Sequence, residues 1–589
     1  MNRIIRRIIA VMPAVILQAL WFFVMLRWLA PYAALISYLM TFAAVIFVLY
    51  IISSHSEGTY KTLWLLVIIG LPVTGAVLYL LFGNKRTARP LRKKLEKADR
   101  NRREMLNELF SESISGTGTV SGIASEESNE ASGYGDKSLK AVNSENSSKA
   151  DNSKKSTDSL SFLNNAFREV DGRERTVQAL CFLGMNRRLA QTFGAVQNKT
   201  GAYPAFCDNV QYFPLGELMW DRMLKDLEQA EQFIFAEYFI IEEGKMWDSM
   251  VEIMARKASR GVDVRVMYDD LGSISTYSSE NVAALRKKGI KCVAFNPLKS
   301  VKGTVNYRDH RKMLVIDGCI AYSGGINLAD EYINRKEKYG HWKDIGFRLT
   351  GLPVHSFTGM FAEFWDAFSG EPIPKKIVRA YFEQRQAGLA DMDEPNEGGR
   401  ESYSYEGTRG IALSYYDSPI REEEVSNNLY IDLLSQAEKY AWFYTPYLMP
   451  GDFLLDAFVK AAERGVDVRI IMPGIPDKKV VYRMSRSYYY PLIKAGVRIY
   501  EYTPGFVHAK GCIIDDELCT IGTVNLDYRS LFLHFENNTV FWNVPIIEDV
   551  KADFLITQEK SRERTMENID TGFVKWLIDG LLRIFAPLC

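Results

Sequence analysis

One stretch of this chain is written twice, and that repeat restricts the fold more than any other feature. Lys257-Ala258-Ser259-Arg260-Gly261-Val262-Asp263-Val264-Arg265 leads into Val266-Met267-Tyr268. Lys460-Ala461-Ala462-Glu463-Arg464-Gly465-Val466-Asp467-Val468-Arg469 leads into Ile470-Ile471-Met472. Each copy reads as a helix that stops at glycine and turns into a buried strand. The next strands open in the same way, at Lys288-Gly289-Ile290 and Ala495-Gly496-Val497, and stop at Asn296-Pro297 and Thr503-Pro504. Amphipathic helical stretches alternating with short β-branched runs indicate α/β packing. With 589 residues there is ample chain for an internally duplicated unit with a large core. The expected fold is therefore a duplicated α/β domain, with halves at 160–385 and 386–589.

The repeat carries chemistry. After the repeated strands come His310-x-Lys312-x4-Asp317 and His508-x-Lys510-x4-Asp515, the two histidines 198 residues apart where the two helix-ending glycines are 204 apart. His and Lys at i and i+2 point to one face if the segment is a strand. Asn327 and Asn525 each follow 17 residues past the histidine, after Ser323-Gly324-Gly325 and Ile521-Gly522-Thr523, where small residues permit close approach of a ligand. A phosphodiester needs an anion clamp, a nucleophile and a proton donor for the departing alkoxide. Lys312, Lys510, Asn327 and Asn525 suit the clamp. One neutral imidazole can attack phosphorus while the other, protonated, serves the leaving group. This scheme requires no metal and no cofactor. A lone His-x-Lys pair is an ordinary polar surface feature, but two copies with Asp and Asn at matched offsets are the halves of one site.

Ahead of the repeat lie three apolar runs, 8–26, 31–52 and 63–82, each close to the ~20 residues that cross a bilayer as a helix. They contain almost no ionisable groups, and no small-residue cleavage site follows the first. Residues 1–84 are expected to be a membrane anchor of two or three transmembrane helices. Three arginines precede the first run, whereas Arg86, Arg89, Arg92, Lys93 and Lys94 follow the third, and three crossings would put these clusters on opposite sides. The larger cluster adjoins the soluble part, which places the catalytic part on the cytoplasmic side of a multi-pass protein. The N-terminus is then external, or the first run does not fully span. Residues 85–159 read as a basic stretch and then a Ser/Gly-rich tether too polar to order itself. The formal net charge of +0 argues against a whole-protein grip on nucleic acid. Seven scattered cysteines without a CxxC pair suggest neither disulfides nor a thiolate zinc site. The segment 573–585 has the apolar face of an interfacial helix or of a core-packing tail.

These residues resemble the phospholipase D superfamily, and within it the bacterial cardiolipin synthases that use two phosphatidylglycerols. The likeness rests on Asn306-Tyr307-Arg308-Asp309-His310-Arg311-Lys312 with Gly324-Gly325-Ile326-Asn327, and on Val507-His508-Ala509-Lys510 with Gly522-Thr523-Val524-Asn525. Glu237-Tyr238-Phe239, His341-Trp342-Lys343-Asp344 and Tyr444-Thr445-Pro446-Tyr447 are similar too. The resemblance implies a duplicated phospholipase D-like α/β sandwich with a central sheet in each half, preceded by N-terminal transmembrane helices, in a bacterial plasma membrane. His310 would be the nucleophile, forming a phosphatidyl-histidine with release of glycerol. His508 would be acid, then base for an incoming phosphatidylglycerol. Asp317 and Asp515 would be orienting or structural partners, and Glu536 would match an acidic position that bonds a histidine. Gly325 stands where many members carry Ser, and Thr523 replaces the more usual Ser. A transferase, a hydrolase of the same superfamily and a silent membrane scaffold share this site on paper; complete motifs in both halves weigh against the last. Outside the motifs, His55, His355 and His534 read as loop or packing residues, and His341 as a structural residue near the cleft.

Overall fold

The computed structural model describes residues 33–54, 57–83, 89–98, 173–207, 209–297, 306–374, 410–421, 423–569 and 572–588, with short pieces at 12–13, 16–24, 100 and 377. The Ser/Gly-rich tether and most of the first apolar run lie outside the described residues.

The repeat in sequence is a repeat in topology. The first sheet runs Val210–Phe213, Gly346–Thr350, Ile320–Gly324, Met313–Ile316, Phe233–Tyr238, Asp263–Asp269, Lys291–Phe295. The second contains Ile411–Asp417, His534–Trp542, Leu518–Gly522, Gly511–Ile514, Tyr440–Tyr444, Asp467–Pro473, Arg498–Tyr502 in the same order, extended by Ala205–Phe206 at one edge and Ser561–Arg564 at the other. In both sets of seven, the last three strands are parallel and the others antiparallel. Helices Lys245–Ser259 and Asp452–Glu463 end as the sequence predicts, with Gly261 and Gly465 both at φ +93°. That left-handed conformation suits a residue without Cβ and turns the chain straight into its strand.

Apolar side chains collect in three cores. Two lie on the outer faces of the sheets, under their own helices. The third joins the sheets, taking Phe235, Val315 and Phe347 from one, Trp442, Ile513 and Phe541 from the other, and the helices Val354–Phe368 and Ile546–Glu559 between them. A shared core of this size fixes the relative position of the halves.

Two short parallel pairings cross between the halves. Gly505–Val507 runs beside His341–Lys343, and Arg308–Asp309 beside His534–Phe535. Each crossing strand is the lead-in to a motif histidine. The sequence predicts His310-x-Lys312 and His508-x-Lys510 on strands; the structure instead puts both in links, between the crossing strand and the strand that enters the home sheet. The motif is where the chain changes partners, from a pairing with the other half to its own sheet.

Two boundaries differ from expectation. The first half was expected from residue 160, yet helix Arg187–Thr200 packs in the core of the second half, and Ala205–Phe206 pairs with Ile411–Ala412 on its edge. Covering that edge removes a row of unpaired backbone groups. The third apolar run is interrupted: helix Gly58–Gly70 ends before Leu71, at φ −138°, and Pro72 starts a new helix. The residue before a proline is driven out of helical geometry, so this run is not one continuous helix. Helix Ala33–Ile52 covers the second run. Among the residues described in full, no helix is long and apolar enough to cross a membrane. The Gly58–Gly70 helix docks on the second half, where Tyr60 stacks on Tyr528 at 5.5 Å.

Candidate functional site

The crossing strands bring the two motifs together. The His310 amide donates to the Phe535 carbonyl at 2.8 Å, and the His508 amide to the Lys343 carbonyl at 2.7 Å. Each backbone is thus anchored to the opposite half, and the residue after each acceptor is acidic. His310 Nδ1 lies 2.9 Å from both carboxylate oxygens of Glu536, and His508 Nδ1 lies 2.7 Å from Asp344 Oδ2. Both carboxylates are fully buried. A carboxylate on Nδ1 accepts its proton and leaves Nε2 as a lone-pair donor, the tautomer required for attack or for taking a proton.

Glu536 was anticipated as a partner of a histidine; Asp344 was noticed only as part of a similar tetrapeptide. It stands 17 residues past Asn327, whereas Glu536 is 11 past Asn525, so the offset that aligned the other site residues hides it. The surrounding residues differ accordingly. A Cβ at Gly325 would sit 2.0 Å from Asp344 Oδ1 and 2.9 Å from the His508 carbonyl, so this glycine makes room for the acid. At the matching position the Thr523 hydroxyl donates to Glu536.

Lys312 donates to the His310 carbonyl at 2.6 Å, and Lys510 to the His508 carbonyl. Lys510 Nζ is also 2.7 Å from His508 Nδ1. Burial pulls the ammonium of Lys312 down to about 8 and that of Lys510 to about 7, against the opposing pull of nearby carboxylates. Burial, with the neighbouring lysines, pulls His508 down to about 4 and holds His310 well below its ordinary value. Charges from both motifs act on each histidine, which places the two motifs in one electrostatic site. One expectation is corrected here. Neither imidazole carries the proton in the unliganded cleft at neutral pH, because burial and two ammonium groups oppose a further positive charge. A bound phosphodiester brings the negative charge that reverses this balance.

Asn327 and Asn525 flank the motifs but are already engaged. Asn327 donates to the Tyr332 hydroxyl at 2.7 Å and accepts from the Ile240 amide at 3.1 Å; Asn525 donates to Asp527 at 3.3 Å. Each amide nitrogen has a second proton to offer an anion. Asp317 and Asp515 do something different. Asp317 accepts the amides of Glu231, Gln232 and Phe233 at 2.7–2.8 Å, and Asp515 those of Glu438, Lys439 and Tyr440 at 2.7–2.8 Å. Both are left-handed, at φ +53° and +54°. Their carboxylates cap the entry of the neighbouring central strand and bond neither histidine, so the grouping of these aspartates with the catalytic residues gives way to the structural role.

Of the other histidines, His341 bonds the Tyr502 hydroxyl at 3.1 Å, and His355 is buried in helix Val354–Phe368. His55 lies outside the described residues. His534, read from sequence as packing, proves to be beside the site: its ring centroid is 5.6 Å from that of His310. His310, His534 and Glu536 offer ligand atoms within 4.8 Å of one another. Arg529 and Lys312 crowd this group with positive charge, an environment that repels a metal cation.

Residues 223–339 and 430–556 match the family model described as cardiolipin synthase, phospholipase D-like domain, and 39–84 match a phospholipase D-nuclease N-terminal family. An uncharacterized protein of Streptococcus mutans is 43% identical over 68% of this chain and 83% of its own length. Cardiolipin synthase of Alkalihalophilus pseudofirmus is 31% identical over 72% of this chain and 80% of its own length. Cardiolipin synthase 2 of Bacillus anthracis is 31% identical over 68% and 73%. The duplicated sheets, the paired motifs and these relatives agree: the chain belongs to the bacterial cardiolipin synthase family of the phospholipase D superfamily and is a phosphatidyltransferase.

Proposed function

We propose that the enzyme joins two phosphatidylglycerols into cardiolipin and glycerol through a phosphatidyl-histidine on His310. The observation that carries this is the crossed grip: each motif imidazole is held through Nδ1 by a carboxylate of the other half. Among the described residues both Nε2 atoms are then without a partner, and the same pair of lysines acts on both rings. His310 Nε2 attacks phosphorus and the bond to the glycerol oxygen breaks, with His508 delivering the proton to that oxygen. His508, now neutral, takes the proton from a hydroxyl of the second phosphatidylglycerol, whose oxygen attacks the same phosphorus and releases His310. Lys312 and Lys510 neutralise the non-bridging oxygens, with Asn327 and Asn525 beside them. Water in place of the second lipid would make the same site a phospholipase.

The enzyme acts at a bilayer, as a multi-pass protein of the bacterial plasma membrane with the catalytic halves on the cytoplasmic side. Support comes from exposed apolar side chains, Tyr38, Leu39, Phe42 and Leu49 on helix Ala33–Ile52 and Phe573, Val574, Leu577 and Leu581 on helix Phe573–Phe585. Solvent-facing rows of this kind suit lipid rather than water. Purified protein given phosphatidylglycerol in detergent yields cardiolipin and free glycerol; phosphatidic acid as the sole product refutes the transfer. Radiolabelled lipid stays on the protein in His508→Ala and never in His310→Ala.

A further inference from the structure

The pseudo-symmetry of the site has one titratable exception. His534 precedes Phe535, the carbonyl that holds His310, as Trp342 precedes Lys343, the carbonyl that holds His508. Their rings occupy matching places, Trp342 5.4 Å from the His508 ring and His534 5.6 Å from the His310 ring. One motif histidine therefore rests against an indole and the other against a second imidazole.

The direction of the extra imidazole is set. Arg529 Nε donates to His534 Nε2 at 3.2 Å, which makes Nε2 the acceptor and puts the proton on Nδ1. Among the described residues that Nδ1 is buried without a hydrogen-bond partner, and it faces Glu536 Oε1 at 3.8 Å. Glu536 is the same carboxylate that holds His310 Nδ1. We infer that His534 is a positioning residue for the nucleophile: its Nδ1–H supports the ionised form of Glu536, and through it the tautomer of His310 that exposes a lone pair on Nε2. The inference rests on His310 being the attacking residue.

The surroundings make this support matter. Burial pushes Glu536 up to about 8, against Lys312 and the Thr523 and Ser530 hydroxyls, so at pH 7 the carboxyl of the unliganded cleft favours its protonated form and each donor that supports the ionised form counts. A protonated Glu536 would donate to His310 Nδ1 and drive the imidazole proton to Nε2, which silences the nucleophile. His534 itself stays uncharged, through burial and then the charges of Arg529, Arg308, Lys312 and Lys478. Phe239 closes the remaining side, its ring 4.9 Å from His310 and 6.4 Å from His534. Those cations, Glu536 and His310 are the charged or titratable groups facing His534 from the elements around it. On the other side, Ile345 donates its amide to Asp344 Oδ1 at 2.9 Å and Lys510 lies beside His508.

The test compares full-length His534→Phe and His534→Gln with wild type in detergent. Turnover is followed against pH with phosphatidylglycerol and with bis(4-nitrophenyl) phosphate, whose leaving group needs no acid and so isolates the nucleophile. His534→Phe should lose about 10- to 100-fold at pH 7, as removal of an outer partner of a functional histidine does, and its acid limb should move up by about one pH unit. His534→Gln, which keeps a donor, should recover much of the rate and the wild-type acid limb. Equal losses in both variants with an unmoved acid limb, or a wild-type profile in His534→Phe, overturn the inference. Activity on the nitrophenyl ester without cardiolipin formation would count against the proposed acceptor and leave this comparison intact. Thermal inactivation midpoints separate a folding defect from a shifted profile.

Discussion

Replacing Asp317 separates a structural aspartate from a catalytic one. Its Oδ1 accepts the amides of Gln232 and Phe233 at 2.7 and 2.8 Å, and its Oδ2 accepts that of Glu231 at 2.8 Å. Glu231 and Gln232 are exposed and water can replace the carboxylate there, at about 0.5 kcal/mol each; the Phe233 amide opens a fully buried strand, and leaving it unpaired costs about 1–3 kcal/mol. Asp317→Ala adds the strain of a left-handed alanine, about 1 kcal/mol. The sum is about 3–5 kcal/mol for Asp317→Ala. Asp317→Asn keeps Oδ1 and tolerates the left-handed backbone, so it loses the Glu231 bond and charge assistance, about 1 kcal/mol. Thermal inactivation in detergent should rank wild type above Asn above Ala, with Asp515 following the same ranking. Turnover per folded molecule should stay within about threefold of wild type in the Asn variants. An Asp317→Asn protein of unchanged thermal stability but abolished turnover would refute this account and return the aspartate to the chemistry.

Three further outcomes follow from the cleft. Glu536→Gln and Asp344→Asn should each cut turnover by about 10²- to 10⁴-fold with little change in stability, because an amide that donates to Nδ1 enforces the wrong tautomer; kinetics on folded variants decide. Gly325→Ala should act like Asp344→Asn, since its Cβ falls 2.0 Å from Asp344 Oδ1, whereas Thr523→Ser should be close to neutral. Lys510 and Lys312, depressed to about 7 and about 8, are charged below those values and neutral above them. KM for phosphatidylglycerol should therefore rise as pH climbs from 7 to 9, and a flat KM over that range would mean that the lysines do not clamp the phosphate.

The repeat was legible because it obeys local rules: glycine ends a helix, a β-branched run follows, and the same offsets recur. His310, Lys312, His508 and Lys510 were legible for the same reason. Asp344 was not, since its distance from Asn327 reflects a longer loop, 334–340, between the turn Asp330–Ile333 and the strand His341–Lys343, where in the second half helix Tyr528–Phe532 runs almost directly into strand His534–Trp542. His534 was not, since its meaning depends on a pairing with Arg308 more than 200 residues away. The motif's strand character was misjudged because an i, i+2 spacing describes any extended segment and is silent about which sheet receives it. The interruption of the third apolar run was visible in Leu71-Pro72, where hydropathy alone suggested continuity.

The crossed strands also explain why two motifs make one site. Neither half contains a complete histidine: His310 needs Glu536 from the second half, and His508 needs Asp344 from the first. Each backbone amide of these histidines is satisfied only by the other half. An isolated half would thus hold an imidazole without its carboxylate and a carboxylate without its imidazole. Joining the halves in one chain removes the symmetry that two identical copies would impose. Asp344, Gly325 and Trp342 have come to surround one histidine, and Glu536, Thr523 and His534 the other. A reaction that asks one imidazole to attack and its twin to carry a proton needs that difference, and His534 against Trp342 sets an imidazole where the other side has an indole.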